Sequence, residues 1–301
     1  LNDRQRLAVQ SETSSIAVIA GPGTGKTKTL VSRIVFCIRE RGALPSEIIA
    51  VTFTNKAAEE MRKRLNQTLG KETADEITIG TFHSICLKFL AQHDKALPLI
   101  EPYCAQAVAG EVLQALSQKG SAQKLLDKIS RMKNGLTDSV TEPLDKACSL
   151  YQQKLSQYGV MDYDDVLLHA LRLTEEGEMP SCRYLLVDEF QDINELQYRL
   201  ICAWGKQNIF LIGDPDQSVY GFRGSDTEFF KRFLEEHPQT QQICLLENYR
   251  STPEILSCAL PVIQKNPASG YERFLTARNN PGEPVRLVTS ESDFSEAIYI
   301  A

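Results

Sequence analysis

Ala20-Gly21-Pro22-Gly23-Thr24-Gly25-Lys26-Thr27 follows an apolar run, Ile16-Ala17-Val18-Ile19, and leads into Leu30-Val31 and Ile34-Val35 at helical spacing. A buried strand, a glycine-rich turn and a helix start are what the phosphate chain of a nucleoside triphosphate requires. Gly21, Gly23 and Gly25 let backbone N–H groups close around the phosphates, and Pro22 and Thr24 complete the turn. Lys26 supplies a point charge between the β- and γ-phosphates, the Thr27 hydroxyl is placed to ligate Mg²⁺, and the helix N-terminus adds partial positive charge. The general pattern G-x-x-x-x-G-K-[ST] has glycine where this chain has Ala20.

With 301 residues and 42% hydrophobic content, the chain can bury a real core and is expected to hold two domains or one plus an insert. No apolar run reaches the ~18 residues of a membrane span, and no signal peptide is recognisable, so a cytoplasmic, soluble protein is expected, nucleoid-associated in a bacterium. The first residue is Leu1, which reads as a trimmed N-terminus. Eight cysteines lie far apart without a C-x-x-C pair, which predicts buried reduced thiols rather than zinc ligands or disulfides. The net charge of −6 argues against a protein that simply coats nucleic acid. Between Lys26 and Arg64, however, nine Lys/Arg face four Glu, a local surplus that fits phosphates or solvated helix faces.

Apolar runs alternate with helical patterns, as a parallel α/β sheet demands. The spacing predicts strands at 16–20, 48–52, 77–80, 184–187, 209–212 and 243–246, and helices at 26–40, 56–69, 82–91, 163–173, 195–204 and 227–234. From about His93 to Tyr158 the chain is rich in Ala, Leu, Lys and Gln without a strand pattern, which predicts a helical insert. Another helix opens at Thr252-Pro253-Glu254, with Thr252 as N-cap and Pro253 at the first helical position. Val285–Val288 then reads as a strand and 293–300 as a helix, the opening of a second unit.

Leu185-Leu186-Val187-Asp188-Glu189 is an apolar strand ending in two carboxylates, and strand ends face the crevice where α/β proteins bind ligands. Asp188 is expected to hold Mg²⁺ opposite Thr27, and Glu189 to orient and deprotonate the attacking water. Gln191 and Asp192 follow at once. Downstream, Leu211-Ile212-Gly213-Asp214-Pro215-Asp216-Gln217 is again a strand running into polar residues. Gln217 suits a γ-phosphate sensor, and Tyr220, Phe222 and Arg223 suit base stacking and backbone contact.

These segments, taken in order, resemble the UvrD/Rep/PcrA group of superfamily 1 DNA helicases. Leu1-Asn2-Asp3-Arg4-Gln5-Arg6 resembles the group's adenine-reading motif, with Gln5 on the base edge. The P-loop with Ala20 is the group's own form, and Lys28 stands where arginine is frequent. Val51-Thr52-Phe53-Thr54-Asn55-Lys56 and Gly80-Thr81-Phe82-His83-Ser84 resemble DNA-side motifs, which implies DNA contacts by Phe53, Asn55 and His83. Asp162-Tyr163-Asp164-Asp165 resembles the acidic return into the core. Asp188–Asp192, Gly213–Gly224 and Glu247–Thr252 resemble motifs II, III and IV. Phe222 stands where the group usually has Trp. In motif IV the resemblance implies adenine stacking by Tyr249 and an arginine finger from Arg250.

The resemblance implies a RecA-like P-loop sheet split into 1–92 and 159–250, with a helical insert at 93–158 and a second RecA-like domain beginning at 251–301. Motifs V and VI are absent, and 165–187 is shorter than in familiar members. The implied activity is an ATP- and Mg²⁺-dependent DNA helicase and three-prime to five-prime translocase acting on single-stranded DNA and single/double-strand junctions, in repair or replication and alongside proteins of those processes. These 301 residues alone are not expected to unwind duplex. The alternative is a nucleotide- and DNA-binding module of a larger repair complex or helicase–nuclease, without its own motor output. His93, His169 and His237 read as surface or packing residues.

Overall fold

The computed structural model describes residues 1–135, 141–217, 228–265 and 274–301. In chain order its elements are α1 (Asp3–Gln10), β1 (Ser15–Ala20), α2 (Lys26–Arg39), β2 (Ile48–Val51), α3 (Asn55–Leu69), α4 (Lys71–Glu76), β3 (Thr78–Gly80) and α5 (Phe82–Gln92). Then come α6 (Pro102–Ala115), α7 (Ala122–Lys133), α8 (Glu142–Tyr158), α9 (Tyr163–Glu175), β4 (Tyr184–Val187), α10 (Glu195–Trp204), β5 (Ile209–Gly213) and α11 (Glu228–Glu236). The last are β6 (Gln241–Leu245), β7 (Glu247–Asn248), α12 (Pro253–Gln264), β8 (Thr276–Ala277) and α13 (Asp293–Ile300).

Six strands form one parallel sheet in the order β3-β2-β4-β5-β1-β6. Successive side chains of a strand point to opposite faces, and here both faces are covered. Ala17, Ile19, Ile49, Val51, Leu185, Val187 and Leu211 pack with residues of α5, α9, α10 and α11. Their neighbours Ile16, Val18, Ile48, Ala50, Leu186, Phe210 and Ile212 pack with residues of α1 to α4. Each fully buried aliphatic side chain contributes roughly 1.5–3 kcal/mol, which is why these strands read as continuous apolar runs. Because every strand runs the same way, Ala20, Val51, Gly80, Val187 and Gly213 all end at one edge. The chain belongs to the α/β class expected, and the mostly parallel sheet is that of a RecA-like domain.

The helices α6, α7 and α8 close on a small core of their own, centred on Val108, Val112, Ile129, Tyr151 and Leu155. The chain leaves and re-enters the main core side by side: Met161 N–H donates to Pro98 O at 3.0 Å, and Ile100 N–H to Met161 O at 2.9 Å. There Lys133 of α7 reaches the carboxylates of Asp162 and Asp165 at the start of α9.

Three expectations need correction. Val285–Val288 forms no strand; Leu287 is 96% exposed, and no neighbouring strand among the described residues accepts its hydrogen bonds. Thr252 sits at the N-cap of α12 with extended backbone, but its hydroxyl makes no capping bond. Of the eight cysteines, all free, only Cys37 and Cys86 are fully buried, while Cys104 and Cys258 are exposed. The helix α1 was not read from the sequence, although Asn2 and Gln5 form a reciprocal capping box. No helix among the described residues is long and apolar enough to cross a membrane.

Candidate nucleotide-binding site

Ala20 is the last residue of β1, fully buried and paired with Leu245 of β6. A strand residue has no need of glycine, so alanine stands where the general pattern has none. The turn proper needs it twice. Gly23 (φ +70°) and Gly25 (φ +84°) adopt left-handed backbone, and a Cβ on them would meet Arg250 Cβ at 2.7 Å and Gln5 Nε2 at 2.8 Å. Thr24 is buried and donates its hydroxyl to Gly21 O at 2.7 Å, so its side chain braces the loop.

Two neighbours hold this loop from outside. Gln5, expected at a base edge, is 2% exposed and already engaged: its Oε1 accepts Asn2 N–H at 3.0 Å and its Nε2 donates to Thr24 O at 2.8 Å. One N–H and one lone pair remain for any other partner. Arg33 fixes α1 in place by donating to Val9 O and Ser11 O at 2.7 and 2.6 Å. On the opposite side Asn248, fully buried, donates to Pro22 O at 2.7 Å and accepts the N–H groups of Arg250 and Ser251 at 2.8 and 2.7 Å. Tyr249 N–H donates to Gly23 O at 2.9 Å, while its hydroxyl meets Glu247 and Asn2 and its ring stays exposed. Arg250 therefore leaves the loop with its side chain exposed. Lys28 points to solvent from the first turn of α2.

The acidic half arrives from β5, which pairs with β1, and from β4, the next strand beyond it in the same sheet. Lys26 Nζ is 3.1 Å from Glu189 Oε2. Glu189 has φ +50°, ψ +48°, a conformation that costs a non-glycine residue roughly 1–3 kcal/mol. Its N–H is held by Asp188 Oδ1 at 3.0 Å and its carboxylate by Gln191 Nε2 at 3.0 Å. Gln191, almost fully buried, also donates to Asp192 at 3.2 Å and accepts Asp214 N–H at 2.9 Å, so one amide locks the two strand ends together. Gln217 Nε2 donates to Asp214 Oδ2 at 2.7 Å.

Burial and the adjacent Glu189 push the Asp188 carboxyl up to about 7, against the opposing pull of Lys26. The same two causes raise Asp192 to about 6. Burial also raises Asp214. One lysine thus faces four carboxylates, three of them reluctant to ionise. Thr27 is half-buried beside them, and its hydroxyl has no hydrogen-bond partner among the described residues. Hard oxygen donors in excess of positive charge suit a small divalent cation such as Mg²⁺. Gln191 and Asn248 had no local sequence signal as braces, because each acts on a segment distant in the chain or across the sheet.

Phe53, Asn55 and His83 lie at the ends of β2 and β3, neighbouring strands at one side of the sheet. Thr52 N–H donates to Gly80 O at 2.9 Å, which brings the two loops together. Phe53 is half-buried and Asn55 exposed. His83 packs edge-on to Tyr163 at 5.5 Å, and burial lowers its pKa against the pull of Asp164, which leaves it neutral near pH 7. Tyr220, Phe222 and Arg223 lie outside the described residues.

The family model for the UvrD/REP helicase N-terminal domain matches residues 1–238. Over its whole length the chain is 32% identical to the ATP-dependent DNA helicase PcrA of Staphylococcus epidermidis, of which it covers 45%. It is equally similar, at 32%, to the ATP-dependent DNA helicase PcrA of Staphylococcus aureus, of which it covers 44%. The chain spans less than half the length of these relatives.

Proposed function

The chain belongs to the UvrD/REP helicase family, and on that premise we propose that it is the ATP-binding part of a DNA helicase that moves three-prime to five-prime along single-stranded DNA. The observation that carries this reading is the 3.1 Å approach of Lys26 to Glu189, beside the buried Asp188. Lys26 is parked on the carboxylate that acts as base. When triphosphate fills the loop, Lys26 transfers to phosphate oxygens and Glu189 is released to take a proton from the attacking water. Thr27 and Asp188 would hold Mg²⁺, which supplies charge neutralisation on the phosphates. Gln217, tethered to Asp214, senses the γ-phosphate; Arg250 reaches it from the far side, and Tyr249 offers its exposed ring to the base. Gln5 keeps one amide N–H for the adenine edge.

Residues 1–92 and 159–250 make the first motor domain, 93–158 an accessory insert, and 251–301 the opening of a second motor domain. Phe53, Asn55 and His83 take single-stranded DNA together with Tyr220, Phe222 and Arg223, and repair or replication proteins are the expected company. A second reading, a nucleotide- and DNA-binding module of a larger repair complex or helicase–nuclease without its own motor output, draws on the exposed apolar side chains of Leu287, Phe294 and Ile300, a surface suited to a protein partner. For these 301 residues alone we expect ATP binding without strand separation. The test is ATP hydrolysis with and without oligo-dT, by the full natural polypeptide and by this chain, with Glu189→Gln as the control. Hydrolysis by the full polypeptide that ignores oligo-dT would refute the motor reading.

A further inference from the structure

At the opposite edge of the sheet from the phosphate loop, α10 and α11 end close together. Cys202 lies in the last turn of α10, Glu236 closes α11, and His237 follows it. Their ligating atoms, the thiol sulfur, a carboxylate oxygen and an imidazole nitrogen, all lie within 4.8 Å of one another. Cys202 and His237 also line a cavity of about 260 Å³ beside Gly205, Lys206 and the start of β1. We propose that Cys202, Glu236 and His237 bind a zinc-class divalent cation, with its fourth coordination position open to this cavity.

Four features carry the assignment. A sulfur–nitrogen–oxygen donor set selects zinc-class ions over Mg²⁺ or Ca²⁺, which take oxygen ligands only. The three ligating atoms already stand within 4.8 Å of one another, and neighbouring ligands of a tetrahedral zinc stand somewhat closer, so the side chains would draw in around the ion. Both helices present their C-terminal ends, where the backbone carries partial negative charge that favours a cation. The supporting shell is in place: Tyr198 O–H donates to Glu236 Oε2, Arg232 Nε donates to Glu236 Oε1 at 2.9 Å, and Phe233 packs against the His237 ring at 4.4 Å. Arg232 is a competitor for the carboxylate as well as a support, so Glu236 offers the lone pairs that these donors leave free. Binding expels the thiol proton, so uptake strengthens as pH rises. The ion would clamp α11, whose Phe230 and Phe233 rings pack on Phe190 of the acidic motif at 4.8 and 5.9 Å.

The test is alkylation of each cysteine by iodoacetamide, mapped by mass spectrometry, with and without equimolar zinc chloride in excess magnesium. Zinc is expected to suppress alkylation of Cys202 while Cys104 and Cys258, both exposed, react as before. Groups that merely hydrogen-bond to a metal ligand change metal affinity roughly 10–100-fold, so His237→Gln is expected to weaken the protection by at least that much. Cobalt chloride is expected to give a thiolate charge-transfer band that Cys202→Ser abolishes. Cys202 alkylation indifferent to zinc in the unmodified protein would overturn the proposal, as would protection that survives His237→Gln undiminished.

Discussion

Lys133 lies 2.7 Å from Asp162 and 2.8 Å from Asp165, while Lys26 meets a single carboxylate, Glu189, at 3.1 Å. Both lysines sit among acidic side chains at the junction of two segments, yet the two clusters differ in kind. Around Lys133 the donors are matched: Asp165 also accepts from Gln152 at 3.1 Å and from Asp162 N–H at 3.2 Å, and Asp162 accepts Asp165 N–H at 2.9 Å. Burial raises Asp165, but Lys133 and Gln152 outweigh it, and the carboxyl ends below its ordinary value, whereas at Asp162 burial prevails over Lys133 and leaves the carboxyl above its own. Around Lys26 the carboxylates outnumber their partners, and Asp188, Asp192 and Asp214 are all pushed up. The first cluster ties α7 to the start of α9 around one shared lysine; the second holds carboxylates in excess of positive charge, an arrangement suited to a cation.

The difference can be broken most sharply at Glu189. Glu189→Gln is expected to lower ATP hydrolysis by the full polypeptide roughly 10²–10⁴-fold while nucleotide binding survives. Next in size, Lys133→Met leaves the buried Asp165 and the partly buried Asp162 uncompensated, and chemical denaturation of this chain is expected to show a loss of about 3–5 kcal/mol. ATP binding by the folded variant is expected to be unchanged. If instead it fell in proportion, the two clusters would not be separable.

The pH dependence sharpens the contrast between Asp165 and Asp188, which shift in opposite directions. Asp165, held down, contributes stability above its unfolded value that is lost as pH falls. Asp188, held up, contributes stability below its unfolded value of 3.8 that is lost as pH rises through about 7. Asp188→Asn is therefore expected to be more stable than the parent above pH 7, by about 2–4 kcal/mol, with the advantage fading in acid. Thermal melts across pH check this. The smallest effect is expected at Asn248→Ala, which strands Pro22 O and two N–H groups and costs about 1–3 kcal/mol in the same melts.

The elements that position the site were legible because each is a buried run at a clear period. The reading at 184–187 and at 195–204 coincides with β4 and α10, and β1, β2 and α2 differ by a residue at an end. The glycine turn and the Asp188-Glu189 pair were equally visible. What stayed hidden depends on long-range contact. Asn248 and Pro22 are remote in sequence, and nothing local marks Asn248 as the brace of the loop. Gln5 carried a family role in the sequence, yet its burial against Thr24 emerges only when α1 docks on α2. The strand read at 285–288 shows the converse: the residues are apolar and β-branched enough for one, but a strand needs a neighbour, and among the described residues it has none.

The central claim is that Thr27 and Asp188, far apart in sequence, belong to one metal-nucleotide site. Replacing Mg²⁺ with Fe²⁺ in the presence of ATP and ascorbate cuts the backbone wherever the ion sits. The account predicts cleavage at both Thr27 and Asp188-Glu189, suppressed by excess Mg²⁺ and lost in Asp188→Asn. Cleavage at one segment without the other, or cleavage that Asp188→Asn leaves intact, would contradict it.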